Sequence, residues 1–295
     1  MSSGVVSGPG PRVGMALLSM DDDGGLEPFY ADLLAGLEEE LDRHDGTVFL
    51  HVVPDLDAEI LAYRRWADEG LVDAVVVSDL VDGDPRQAVC AQLGLPAVHI
   101  GGDPASGEWV VDYDNAGAMR AAVEHLTGLG HRDIGWVSGP QRYRHTRARA
   151  TAFAEAVAAA GGQGLRREGD YGAGSGASLT GELLDAAPRP TAVVYDNDLM
   201  AVAGVREVLR RGLRVPQDVS ILAWDDSANS RICHPPLSVV SRDVHELGVL
   251  TAGLLLRAVG GGTPVVETPP VAQVVARAST AAVGDEPHHP RIRAS

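Results

Sequence analysis

Apolar runs of strand length recur along this chain, each followed by a polar turn and then a segment with helical spacing. RVGMALLSM (12–20) leads into FYADLLAGLEEELDRH, TVFLHVV (47–53) into DAEILAYRRWADEG, and VDAVVVSDL (72–80) into PRQAVCAQLG, after which PAVHIGG (96–102) follows. These are successive strand–helix units. The runs are continuously apolar rather than alternating, which predicts a parallel sheet covered on both faces and closed by right-handed crossovers. The pattern restarts after VVDYDNAGA (110–118), through RDIGWVSG (132–139), AVVYDNDLMAVAGVREVLRRG (192–212) and SILAWDD (220–226). The fold class expected is therefore α/β, with two doubly wound parallel-sheet lobes. The helix HELGVLTAGLLLRAVGG (245–261) and the extended piece VVETPPVAQVVARAST (265–280) must return across them. Residues 1–11 and 282–295, rich in Gly, Pro, Ser and charge, are expected to be disordered.

In open parallel sheets, ligands bind beyond the carboxyl ends of the strands. The polar sequences YDND (195–198), AWDDS (223–227), SMDDDGG (19–25) and VSGPQRYRHTRAR (137–149) each follow a predicted strand and would line such an edge. Asp198 can cap the following helix, and either Asp225 or Asp226 can do the same while the other faces the ligand. Asn197 both donates and accepts, which suits a hydroxyl-rich molecule. Arg142, Arg144, Arg147 and Arg149 crowd one segment. A solvated helix face explains most of them, whereas a guanidinium turned inward holds two neighbouring oxygens with a planar fork. Aromatic residues make up only 4% of the chain, and Phe29, Tyr30, Tyr171 and Trp224 stand at loop junctions, where they either pack or stack on the C–H face of a sugar ring.

Composition removes several chemistries. All 24 basic residues are arginine, so lysine-dependent mechanisms (a P-loop, a Schiff base, an amine general base) are excluded. A formal charge of −17 opposes phosphate backbones and acidic membranes. Cys90 and Cys233 stand alone, Asp21, Asp22 and Asp23 lack the order of a calcium loop, and GAGSGAS (172–178) matches no nucleotide or nucleophile motif. His288 and His289 fall in the loose tail, and no acid–base set stands out. No cofactor, no metal and no enzymatic activity are expected, and the 13–20 run is too short to span a bilayer.

The stretch YDNDLMAVAGVREVLRRGLRVPQDVSILAWDDS, followed by CHPPLSVVSRDVHELG, resembles the signature region of the lactose/galactose repressor (LacI/GalR) family of bacterial transcription regulators. VDYDNAGAMRAAVEHLTGLGHRDIGWVSGP and the closing ARAST are similar to the same family, so the resemblance covers about residues 12–280. It implies a periplasmic-binding-protein-like type I effector domain with three crossovers and a sugar or sugar derivative in the interlobe cleft, shifting an open/closed equilibrium. It implies lobes at 12–115 plus 243–268 and at 116–242 plus 269–281, and a cytoplasmic homodimer. Motif for motif, it assigns effector contacts to Phe29, Tyr30, Arg149, Asn197 and Asp225, with Tyr171, Trp224 and His145 as further pocket residues. Departures are Ala152, Ala223 and Asp243 where the family has other residues, and Trp224, expected to narrow the pocket. Only MSSGVVSGPGP precedes the first strand, so DNA contact is expected only through a helix-turn-helix headpiece that this chain lacks, by truncation or by natural loss. The rival readings are a free-standing sugar-binding protein, an enzyme using the same cleft, and a headless relative that titrates intact regulators.

Overall fold

The computed structural model describes residues 10–19 and 27–284. The chain divides into two compact units, one formed by residues 1–114, 142–145 and 243–271, the other by 115–141, 146–242 and 272–295.

The first unit holds a sheet built from β1 (Arg12–Leu18), β2 (Thr47–Val53), β3 (Ala74–Val77), β4 (Ala97–Ile100), β5 (Trp109–Val111) and β11 (Val266–Glu267), in the order β11-β5-β4-β3-β1-β2. All its pairings are parallel. Helices α1 (Pro28–Asp42) and α9 (Val244–Val259) share one core with Val13, Met15, Val76 and Val98, while α2 (Leu56–Asp68) and α3 (Pro85–Leu93) share another with Ala16, Val75 and Val77. Alternate residues of β1 and β3 thus enter opposite cores, which is why these strands are apolar throughout. Asp55, Asp84 and Asp243 cap α2, α3 and α9 with their carboxylates. Helices α1 and α9 approach closely: a Cβ on Gly36 would run into the His245 carbonyl, and one on Gly248 into the Leu33 carbonyl.

The second unit repeats the plan with β6 (Asp133–Ser138), β7 (Gln163–Glu168), β8 (Ala192–Tyr195), β9 (Ser220–Trp224), β10 (Ser238–Ser241) and β12 (Gln273–Val275), ordered β12-β10-β9-β8-β6-β7. Only the β10–β12 pairing is antiparallel. Helices α4 (Asn115–Gly128) and α5 (Arg144–Ala159) cover one face, and α6 (Ala173–Leu184) and α7 (Asp198–Arg210) cover the other. A short helix, α8 (Ala228–Ile232), follows β9.

Strands β7 and β10 and helix α6 were not among the predicted elements. Strand β7, QGLRRE, is an edge whose side chains reach solvent, so it carries no apolar run. Pro11 and Val283, assigned above to disordered ends, make backbone bonds instead: the Pro11 carbonyl accepts from the Thr47 amide, and the Val283 amide donates to Leu129. The rest of the expected N-terminal disorder, residues 1–9, lies outside the described residues, as do Asp21–Asp23, His288 and His289. The missing headpiece was an expectation about that same N-terminal stretch.

Candidate functional site

Strands β6, β8 and β9 lie side by side, so Ser138, Tyr195 and Trp224 end on one edge of the second sheet. Asp196, the residue after β8, is fully buried. It accepts from Trp136 Nε1 at 3.0 Å through Oδ1 and from the Gly139 amide at 2.8 Å through Oδ2. Arg149, on α5, sets Nη1 3.2 Å from the same Oδ1 and donates from Nε to Asn115 Oδ1 at 2.9 Å. Its guanidinium lies 4.1 Å from the centroid of the Trp224 ring. Arg149 is only 2% exposed, yet its Nη2 donates to nothing among the described residues. Trp224 Nε1 is likewise buried without a partner. Two unspent donors therefore adjoin a buried, charge-compensated pair, and a polar ligand can use what the protein does not.

The remaining predicted residues of this unit are placed as follows. Asn197 is itself the cap of α7, its Oδ1 accepting from the Met200 amide at 3.0 Å while Nδ2 donates to the Tyr171 carbonyl at 2.9 Å. Asp198, expected as the cap, instead accepts from Ser227 and Asn229, because the chain enters α7 in extended geometry one residue earlier. Tyr171 adopts a left-handed backbone (φ 70) and brings its hydroxyl within 3.4 Å of Thr146 Oγ1. A Cβ on Gly139 would strike that ring, so glycine is needed there. Neither Asp225 nor Asp226 caps α8; Ser227 does, with Oγ accepting from the Ser230 amide. Asp225, also left-handed (φ 65), takes a two-pronged bond from Arg242 at 2.7 and 3.0 Å, and Asp226 accepts from Arg277 at 2.7 Å. Trp224 is the platform beneath Arg149, held at 1% exposure by the core.

In the first unit, Phe29 and Tyr30 meet edge to face at 5.0 Å. The Tyr30 hydroxyl donates to Asp79 Oδ2 at 2.7 Å, and burial first, then the Asp79 charge, raises its pKa well above the ordinary tyrosine value. Tyr30, Ser78, Asp79, Arg142 and Tyr143 line a pocket of about 90 Å³. His145 stacks on Tyr143 at 5.5 Å. Of the crowded arginines, Arg142 lies over the Tyr143 ring, Arg144 pairs with Asp103 at 3.8 Å, Arg147 donates to the Gln141 carbonyl, and only Arg149 is buried.

Sequence reasoning passed over Asn115, Asp196 and Arg242 as site residues. A buried acid after a core strand was the available signal for Asp196, whereas Arg242 lies 17 residues from its partner and carried none.

A family model described as a periplasmic binding protein-like domain matches residues 123–280. The transcriptional regulator CelR of Thermobifida fusca is 32% identical over 243 residues, spanning 80% of this chain and 71% of CelR. The chain belongs to the LacI/GalR family of transcriptional regulators. Among solved LacI/GalR-type structures, a complex of the regulator CelR with cellobiose superposes with a TM-score of 0.83 at 30% identity, covering 91% of this chain and 84% of that one. A dimeric lac repressor superposes at 0.82 with 26% identity, covering 92% and 99%. Among the described residues no helix is long and apolar enough to cross a membrane, and no group of three His, Cys, Asp or Glu side chains is placed to hold a metal ion.

Proposed function

We propose that this LacI/GalR chain is the saccharide-sensing part of a regulator and binds its effector through the Arg149 constellation. The observation that carries this is the buried, partnerless Trp224 Nε1 under the Arg149 guanidinium, whose Nη2 makes no hydrogen bond among the described residues, beside Asp196 and Asn115. A guanidinium fork and an indole N–H suit vicinal hydroxyls. Asn197, Tyr171 and Asp225 complete the contacts from the second unit, and Phe29, Tyr30 and His145 supply those of the first. Binding that favours one arrangement of the units shifts their equilibrium by its differential affinity. With a formal charge of −17, the chain is not itself a phosphate surface, so DNA is read by a separate element, and the regulator acts in the cytoplasm without enzymatic turnover.

The partner we propose is a second copy of the chain. Strand β2 ends its sheet and leaves Phe49 (45%), Leu50 (43%) and Val52 (56%) exposed. Bare apolar edges of this kind are normally covered.

Cellobiose is the first probe, because a 30%-identical relative binds it. Thermal unfolding with cellobiose, other disaccharides and nucleosides should show one class raising the midpoint, since a ligand selective for the folded state stabilises it. A flat response across all saccharides sinks the reading. Leu50→Glu should convert a dimer to a monomer by sedimentation; an unchanged sedimentation coefficient assigns the edge no role in assembly.

A further inference from the structure

A second polar cavity lies wholly within the first unit, where α3 and the segment after β4 meet the first residue of α5. It measures about 140 Å³ and is lined by His99, Gln87, Gly102, Asp103, Ser106 and Arg144, with Leu80 and Val110 as its apolar wall. It shares only Val81 with the pocket beside Tyr30. His99 is 4% exposed, and neither ring nitrogen has a hydrogen-bond partner. An imidazole so placed is costly unless something occupies the space beside it. Gln87 makes no side-chain hydrogen bond among the described residues either. The volume is roughly ten times what a single water needs, so one ordered water does not account for it.

The charges of the lining decide what can enter. Asp103 is balanced by Arg144 at 3.8 Å and also accepts from the Ala105 amide at 2.9 Å. Asp84 is fully engaged by Arg86 and the Val81 amide. The groups left over are neutral: a donor and an acceptor on His99, the same on Gln87, and the O–H of Ser106, whose oxygen also accepts from the Glu108 amide at 3.3 Å. Burial pushes the His99 imidazole below the ordinary histidine value. The Glu108 charge and the Trp109 backbone, close but outside hydrogen-bonding geometry, pull weakly the other way. An anion would face Asp84 and Asp103, and a cation would face Arg144, while Arg86, outside the lining, already answers the Asp84 charge.

We infer that the His99 cavity is a second binding site for a small neutral polyol, separate from the Arg149 site, with His99 and Gln87 taking adjacent hydroxyls and the Leu80–Val110 wall taking the carbon chain. The test is a titration of the full chain, labelled with ¹⁵N-histidine, with glycerol, erythritol and ribitol, and in parallel with inorganic phosphate. The His99 ring nitrogens should shift saturably with at least one polyol and stay still with phosphate. His99→Phe should abolish saturable binding measured by calorimetry. Gln87→Ala, a partly exposed helix position that leaves the fold intact, should weaken it at least about tenfold. Arg149→Ala should leave the His99 response in place, whatever becomes of saccharide sensing. The inference is overturned by absent or linear shifts, by saturation with phosphate, by full affinity in Gln87→Ala, or by loss of the response in Arg149→Ala.

Discussion

Among the described residues each unit buries one arginine against acids, and the two are spent differently. Arg86, in the first unit, uses all three nitrogens: Nη1 on Glu59 at 3.0 and 3.1 Å, Nε and Nη2 on Asp84 at 2.9 and 2.6 Å, and Nη2 again on the Asp79 carbonyl at 3.2 Å. Arg149, in the second, meets one carboxylate, one amide oxygen and an aromatic face, and retains an idle nitrogen. Both are buried to a similar degree, so burial alone does not mark a binding residue. The count of unspent donors does: a saturated guanidinium holds the fold, and an unsaturated one is available to a ligand.

The largest effect expected from this contrast is on stability at Arg86. Arg86→Met strands Glu59 and Asp84 and should cost about 3–5 kcal/mol in urea unfolding at neutral pH. Any saccharide response should persist in the fraction that remains folded. The pH dependence carries a sign. Burial raises the Glu59 carboxyl above its ordinary value although Arg86 and Tyr63 oppose it. Without Arg86 it rises further, so the variant's deficit should shrink as pH falls and Glu59 takes a proton. A deficit independent of pH would mean that neither carboxylate is stranded by the loss of Arg86.

Arg149→Met should reverse the pattern. Asp196 keeps its bonds from Trp136 and Gly139, so the stability loss should be smaller, about 1–3 kcal/mol. The saccharide-induced rise in melting midpoint should vanish, with affinity falling at least about 100-fold, or about 2.7 kcal/mol. Equal responses in both arginine variants would erase the distinction between them.

A smaller and purely structural effect is expected at Asp84. Burial pushes its carboxyl up, but the hydrogen bonds and charge of Arg86, together with the Arg86 and Val81 amides, outweigh that and hold it below the ordinary value. Its contribution is therefore present above the unfolded-state pKa, near 4, and is lost as pH falls through the folded value. Asp84→Asn should be less stable than the parent at pH 7 and converge with it in acid, while leaving saccharide binding alone; curves parallel down to pH 3 would contradict this.

Much of this was legible beforehand, for local reasons. Strands β3, β8 and β9 are continuous apolar runs because both faces of each sheet are covered. Strand β7 and helix α6 were not legible, since an edge strand needs no apolar face and the glycines of AGSGASLTGELL hide a helix whose Gly176 meets the Met200 backbone. Arg149 was picked out through its family motif, but nothing local separated its surroundings from those of Arg86. Glu59 is 27 residues from Arg86, and Asn115 is 34 from Arg149. Spacing along a chain says little about which donors are spent, because partners arrive from other strands.

The finest test of the contrast concerns the ring under Arg149, which has no counterpart at Arg86. Trp224→Phe keeps an aromatic face for the guanidinium and deletes the indole N–H, which is buried without a partner. Losing an unsatisfied donor favours the fold, and losing ring volume opposes it, so net stability should stay within about 1 kcal/mol of the parent. Saccharide affinity should nonetheless fall about tenfold, or about 1.4 kcal/mol, because the missing N–H is replaced by nothing that can reach a hydroxyl. Calorimetric titration beside urea unfolding separates the two quantities. If affinity holds while stability moves, the indole is packing only, and the ligand's second donor must come from Arg149 itself.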